Sequence, residues 1–183
     1  MNIHIITKNP WKQLTAKNVF EKYNINVLFI EKNYPEIQAD TSLEIAKHTA
    51  ILASKELKVP VVREDHSFFL NAFNFPGPYM NFIEKNISAK KVLEMLENQS
   101  DRSGYFEIAT VYANPEGEYE EYVFKVPVTI TLEEKGDLYS GWNKIIQLKN
   151  ENRTLAEYPE EERIDIWNKN FELIAKKISK NIY

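Results

Sequence analysis

An α/β fold with at least partly parallel strands is predicted by two observations on this sequence. Its first third alternates short β-branched runs with helically spaced apolar segments, in the order strand, helix, strand, helix, strand. Its middle then carries two long alternating runs joined at Asn114-Pro115-Glu116-Gly117, the pattern of an antiparallel hairpin.

"NIHIIT" (2–7) reads as a buried strand, short and β-branched. Asn9-Pro10 is a helix-start signal, with Asn9 as N-cap and Pro at the first helical position. Leu14, Ala16, Val19, Phe20 and Tyr23 continue that helix to about residue 24. "INVLFI" (25–30) is a second strand, followed by the loop "EKNYPEIQAD". Thr41 or Ser42 caps the next helix, whose apolar positions are Leu43, Ile45, Ala46, Ala50, Ala53 and Leu57. "VPVVRE" (59–64) is a third short strand, with Glu64 and Asp65 at its end. One or two helices follow over 78–97, with Ser88 capping the second, and the aromatics of "YMNFIEKN" read as a buried helix face. The last helix spans about 159–179, with acids early and lysines late, as the helix dipole favours.

Composition bounds the partners. Hydrophobic residues make up 43% and charged residues 27% of 183 residues, the profile of a soluble domain, or two small lobes sharing a core. A net charge of −4 argues against a stable nucleic-acid partner. No apolar run reaches the roughly 20 residues of a membrane span, and the N-terminus lacks a signal-peptide pattern. Cysteine is absent, which removes disulfides, thiolate metal sites and cysteine nucleophiles and fits a cytoplasmic location.

Two constellations bear chemistry. Thr7, Asn9 and Lys12 sit in a strand-to-helix turn, where backbone N–H groups and the helix dipole suit phosphate. The glycines of a phosphate-binding loop are missing, so on spacing alone Asn9 is a cap and Lys12 a solvated charge. Glu36, Glu64 and Asp65 lie in or beside loops that follow strands, where ligand crevices form in open α/β sheets and where carboxylates suit a hard cation such as Mg²⁺. His4, His48 and His66 have no zinc-binding spacing, and Ser67, Ser103 and Ser140 lack a nucleophile-elbow context.

In order along the chain, "TKNPWK", "YPEIQ", "VPVVREDHSFFLNAFNFPGPYM", "DRSGYF" and "RTLAEYPEEER" resemble the motifs of the inosine/xanthosine triphosphate pyrophosphatase family over about residues 2 to 178. The resemblance implies one elongated, two-lobed α/β domain over 1–183, with a long mixed sheet flooring a cleft and helices around it, and a homodimer. It implies hydrolysis of a nucleoside triphosphate to the monophosphate and pyrophosphate with Mg²⁺, for which Mn²⁺ can substitute. Thr7, Asn9 and Lys12 match triphosphate-holding positions, Glu36 and Glu64 metal-binding acids, and Asp65 the acid that activates water; Arg163 stands where the family has a lysine near the nucleotide.

The departures fall mostly on substrate recognition, with Asn74-Phe75 also standing where the family has a glycine pair. "SGWNKI" keeps the aromatic Trp142 as a base-stacking candidate but has Asn143 for the family's Asp. The base-reading S-H-R triplet becomes Trp167-Asn168-Lys169, and Thr49 and Asn81 stand where the family has cations. Lys8, Lys144 and Lys149 are candidates to compensate for those cations. The expected function is therefore a nucleotide pyrophosphatase of altered base preference, and the competing expectation is an inactive nucleotide-binding or scaffold homologue.

Overall fold

A computed structural model describes residues 2–180. Seven strands, β1 (Asn2–Ile6), β2 (Asn26–Ile30), β3 (Val61–Leu70), β4 (Phe75–Gly77), β5 (Ser103–Ala113), β6 (Tyr119–Ile130) and β7 (Ile146–Leu148), form a mixed sheet. Its order is β2-β1-β3-β5-β6-β7, with β4 pairing β3 off that path. β1 runs parallel to both β2 and β3, Ile6 standing opposite Arg63, while β3/β4 and β6/β7 are antiparallel. The α-helices are α1 (Pro10–Glu21), α2 (Ser42–Leu57), α3 (Met80–Asn86), α4 (Ala89–Met95), α5 (Glu160–Arg163) and α6 (Lys169–Lys180). The predicted α/β class and parallel opening are observed.

Local chemistry sets the helix starts. Asn9 caps α1 by accepting the Trp11 N–H at 2.9 Å, Thr41 caps α2 through the Glu44 N–H, and Ser88 caps α4 through the Lys91 N–H. The β5–β6 turn closes through Gly117 N–H to the Asn114 carbonyl, with Gly117 at φ +90°. A side chain there would be strained, which is why glycine occupies it.

Three expectations are corrected. The third strand does not stop at Glu64 but continues to Leu70, because β4 pairs with Phe68, Phe69 and Leu70 and satisfies their backbone. The predicted single last helix is broken into α5, a 3-10 turn at Ile164–Ile166, and α6. The Asn168 amide donates to Asp165 at 3.0 Å at that junction, a local bond that competes with helix continuation. Helix α3 buries none of its side chains fully, and Phe82 is 67% exposed, so its aromatics are not a core face.

The chain divides into two compact units: Met1–Asp65 with Ile108–Phe124 and Ile164–Tyr183, and His66–Glu107 with Lys125–Arg163. In the first, pleating separates two cores. Ile3, Ile5 and Val62 face α1 and α6, where Phe20 meets Phe171 with ring centroids 5.9 Å apart. Ile6, Val61 and Val111 face the Ala46, Ala50 and Ala53 stripe of α2. Burying each large side chain contributes about 1.5–3 kcal/mol, as much as or more than a typical cap. The second unit is aromatic-centred: the buried Trp142 packs edge-on to Phe68 at 5.9 Å, and Phe68 contacts Phe106 at 4.8 Å.

Helix α2 ends on Lys58 at φ 56°, a left-handed position that glycine adopts without steric penalty. Lys58→Gly is expected to stabilise the protein by on the order of 1 kcal/mol. A rise in the urea midpoint at unchanged slope checks this, and a lowered midpoint contradicts it.

Candidate active site

In the first unit, β1 delivers Thr7, Asn9 and Lys12 to one turn. Thr7 is buried, and its Oγ1 accepts the Asn9 N–H at 3.1 Å. Asn9 Oδ1 is taken by the Trp11 N–H, as a cap requires, and no hydrogen bond is seen from its Nδ2 among the described residues. Asn9 can therefore cap the helix and still offer an amide donor to an anion. Gln13 braces the turn by donating from Nε2 to the Thr7 carbonyl.

The expectation of a solvated Lys12 is wrong. Its side chain is 16% exposed, its Nζ donates to the Glu64 carbonyl at 3.0 Å, and Glu64 Oε1 lies 4.0 Å away. Burial pushes the Lys12 ammonium below the usual lysine range, while Glu64 and Asp65 pull it back up. Helix α1 thus brings a poorly hydrated cation to the acid-bearing strand.

Glu64 and Asp65 likewise do not close their strand but lie within β3. Successive strand residues point to opposite faces, so Glu64 lies on the Val62 side, under α1 and α6, and Asp65 on the side of α2. The adjacent acids are divided by the pleat. Glu64 is 3% exposed, and its Oε2 accepts the Thr110 hydroxyl at 3.1 Å. Glu36 is exposed, and its Oε1 accepts from Arg63 Nη2 at 2.7 Å, while Arg63 Nη1 donates to the Ile6 carbonyl. Arg63 holds the loop of Glu36 against the β1–β3 edge.

These carboxylates suit a hard cation by their oxygen chemistry. Among the described residues, however, no group of three or more His, Cys, Asp or Glu side chains could hold a metal alone. Only one or two carboxylates could contribute, and further ligands would have to come from water or a bound phosphate.

The substrate-recognition candidates divide between the units. In the first, the Asn168 amide is engaged by Asp165, and Lys169 Nζ lies 5.6 Å from the Phe124 ring centroid. In the second, Arg163 stacks over Tyr139 at 4.2 Å and donates to Asn143 Oδ1 at 3.0 Å, and Asn143 Nδ2 donates to the Ser140 carbonyl. Burial pushes the Arg163 guanidinium down. Trp142 does not keep the open face that base stacking needs: it is 1% exposed, and its Nε1–H donates to the Ile87 carbonyl at 2.7 Å. It anchors its turn instead, helped by Glu84, which accepts its backbone N–H at 2.9 Å.

Of the compensating lysines, Lys144 pairs with Asp137 at 3.4 Å. Sequence reasoning missed Arg63, Thr110 and Asn170. A cation inside an apolar strand beside two acids was a legible signal for Arg63; Thr110 and Asn170 carried none.

The chain matches the model of the Ham1 family over residues 3–171. It is similar to the dITP/XTP pyrophosphatase of Methanosarcina acetivorans, 34% identical over 146 residues, 79% of each chain. The dITP/XTP pyrophosphatase of Methanosarcina mazei is 32% identical over 162 residues, covering 88% of this chain and 87% of the relative. Among solved structures, the Staphylococcus aureus Ham1 protein superposes with a TM-score of 0.81 over 99% of this chain and 100% of its own, at 22% identity, a likeness of fold.

Asn9 separates capping from anion binding. Asn9→Ala is expected to cost about 1 kcal/mol of stability, and Asn9→Asp, which keeps the cap, less than about 0.5 kcal/mol. The Asp variant should nonetheless bind inorganic triphosphate more weakly than wild type by calorimetry. Equal affinity would remove Asn9 from the anion site.

Proposed function

This chain belongs to the Ham1 family, and from that premise we propose that it is a Mg²⁺-dependent nucleoside triphosphate pyrophosphohydrolase releasing a nucleoside monophosphate and pyrophosphate. The observation that carries the reading is the buried Glu64 carboxylate beside the poorly hydrated Lys12, on the strand that also bears Asp65. Triphosphate hydrolysis asks mainly for positioning and charge neutralisation, which an ammonium, carboxylates and an anion-binding turn supply.

Thr7, Asn9 and Lys12 bind the phosphates, with Lys12 offsetting the charge that develops on the departing pyrophosphate. Asp65 orients the attacking water and accepts its proton as the new oxygen–phosphorus bond forms at the α-phosphorus and the bond to the bridging α–β oxygen breaks. Glu64 and Glu36 would hold Mg²⁺ or Mn²⁺, which when bound neutralises phosphate charge. Glu36 would have to release Arg63 to do so, and the guanidinium thus freed adds a cation near the anion-binding turn.

We propose further that the base preference is not the dITP/XTP preference named for the relatives. Asn143, Arg163 and Asn168 already spend hydrogen bonds on protein partners, and Trp167-Asn168-Lys169 lacks the imidazole and the planar guanidinium fork of S-H-R. A site built for one base loses discrimination steeply when its partners change. No observation favours an inactive scaffold.

A panel of standard, deaminated and otherwise modified nucleotides, assayed with Mg²⁺ for pyrophosphate release, tests both parts. Turnover of at least one member is expected, with a best substrate other than dITP or XTP. Asp65→Asn should lower kcat by about 10²- to 10⁴-fold. An Asp65→Asn variant as active as wild type would overturn the mechanism, and a dITP/XTP optimum would overturn the altered preference.

A further inference from the structure

A polar relay leads from helix α6 through the centre of the first unit to Glu64. The Asn170 side chain is fully buried, and its Nδ2 is shared among the Ile108 carbonyl at 3.0 Å, the Tyr122 carbonyl at 3.1 Å and Thr110 Oγ1 at 3.0 Å. Two of these three atoms are carbonyl oxygens, which only accept, so the amide nitrogen must face them. The amide has two protons shared among these three acceptors, and its nitrogen cannot accept a proton from Thr110 Oγ1. A threonine hydroxyl has a single proton, and the remaining partner of Thr110 is Glu64 Oε2, at 3.1 Å. The direction of the chain is thus settled by chemistry: Asn170 donates to Thr110, and Thr110 donates to Glu64.

We propose that Thr110 and Asn170 are positioning residues for the metal-holding carboxylate of Glu64. The inference rests on the reading of Glu64 as a metal ligand. A buried carboxylate with one oxygen pinned cannot rotate freely, so its other oxygen, Oε1, is held on the side where Lys12 lies 4.0 Å away. Thr110 and Glu64 side chains project from the same sheet face, the one covered by α1 and α6, so the bond needs no distortion of either strand. Outer partners of this kind commonly change metal affinity by about 10- to 100-fold when removed. Asn170 acts one step further out, by preventing the threonine hydroxyl from turning toward a backbone carbonyl instead. Its own bonds to Ile108 and Tyr122 fix α6 to β5 and β6, which makes the last helix part of the site's support.

The test is Mn²⁺ binding to the nucleotide-free protein by electron paramagnetic resonance, alongside Mg²⁺-dependent turnover, for wild type, Thr110→Val, Thr110→Ser, Asn170→Ala and Glu64→Gln. Thr110→Val keeps the side-chain shape and removes the donor. It is expected to weaken Mn²⁺ about tenfold or more, with Thr110→Ser restoring near-wild-type affinity and Glu64→Gln abolishing the site. Asn170→Ala should fall between wild type and Thr110→Val. A merely structural role would lower thermal stability in Thr110→Val and leave Mn²⁺ affinity where it was, and that result overturns the proposal. So does wild-type protein that hydrolyses nucleotides yet binds no Mn²⁺ through Glu64. Absence of both binding and turnover in the wild type would instead overturn the functional reading beneath it. Should Thr110→Val fail to fold, Asn170→Ala and Thr110→Ser decide by the same affinity comparison.

Discussion

A carboxylate placed inside a β-strand and closed off from water constrains everything around it. Glu64 is 3% exposed, and a buried charge without partners would cost several kcal/mol. The fold answers with a hydroxyl from β5 on one oxygen and an ammonium from α1 near the other. Lys12 in turn is tied to the Glu64 carbonyl, so helix, strand and acid are mutually positioned. Removing either partner would leave the other group buried and uncompensated, and the arrangement is therefore an unusual one to keep for stability alone.

The same constraint organises the strand-to-helix turn. Because α1 must bring Lys12 to β3, its start is fixed by Asn9 as cap, by Pro10 at the first position and by Thr7 gripping the Asn9 N–H. Helix α6 supports the arrangement from the same side, through Phe171 packed on Phe20 and Asn170 bonded to β5 and β6. Apolar packing supplies most of the stability there, and the polar relay supplies direction. On the opposite sheet face, Arg63 holds Glu36.

Much of this was legible from sequence where the signal is local. The caps Asn9 and Ser88 and the Asn114–Gly117 turn act within three or four residues and are legible in the sequence, and the structure chooses Thr41 between the two candidate caps of α2. The length of β3 was not, because the pairing that extends it comes from β4, beyond an intervening turn. The break in the last helix depends on one Asn168–Asp165 bond that no periodicity reveals. Trp142 is a base-stacking candidate by sequence, whereas packing against Phe68 and a bond to the Ile87 carbonyl make it core. Thr110 and Asn170 were invisible for a deeper reason. Their bonds span 46 and 60 residues, and neither residue type announces a role until the fold brings it to Glu64.

In the proposed reaction, water attacks the α-phosphorus of a nucleoside triphosphate at this site. Hydrolysis in ¹⁸O-enriched water, followed by phosphorus NMR of the products, tests it most directly. The isotope-shifted resonance is expected on the nucleoside monophosphate, with unlabelled pyrophosphate beside it. Label appearing in pyrophosphate or in inorganic phosphate would contradict it.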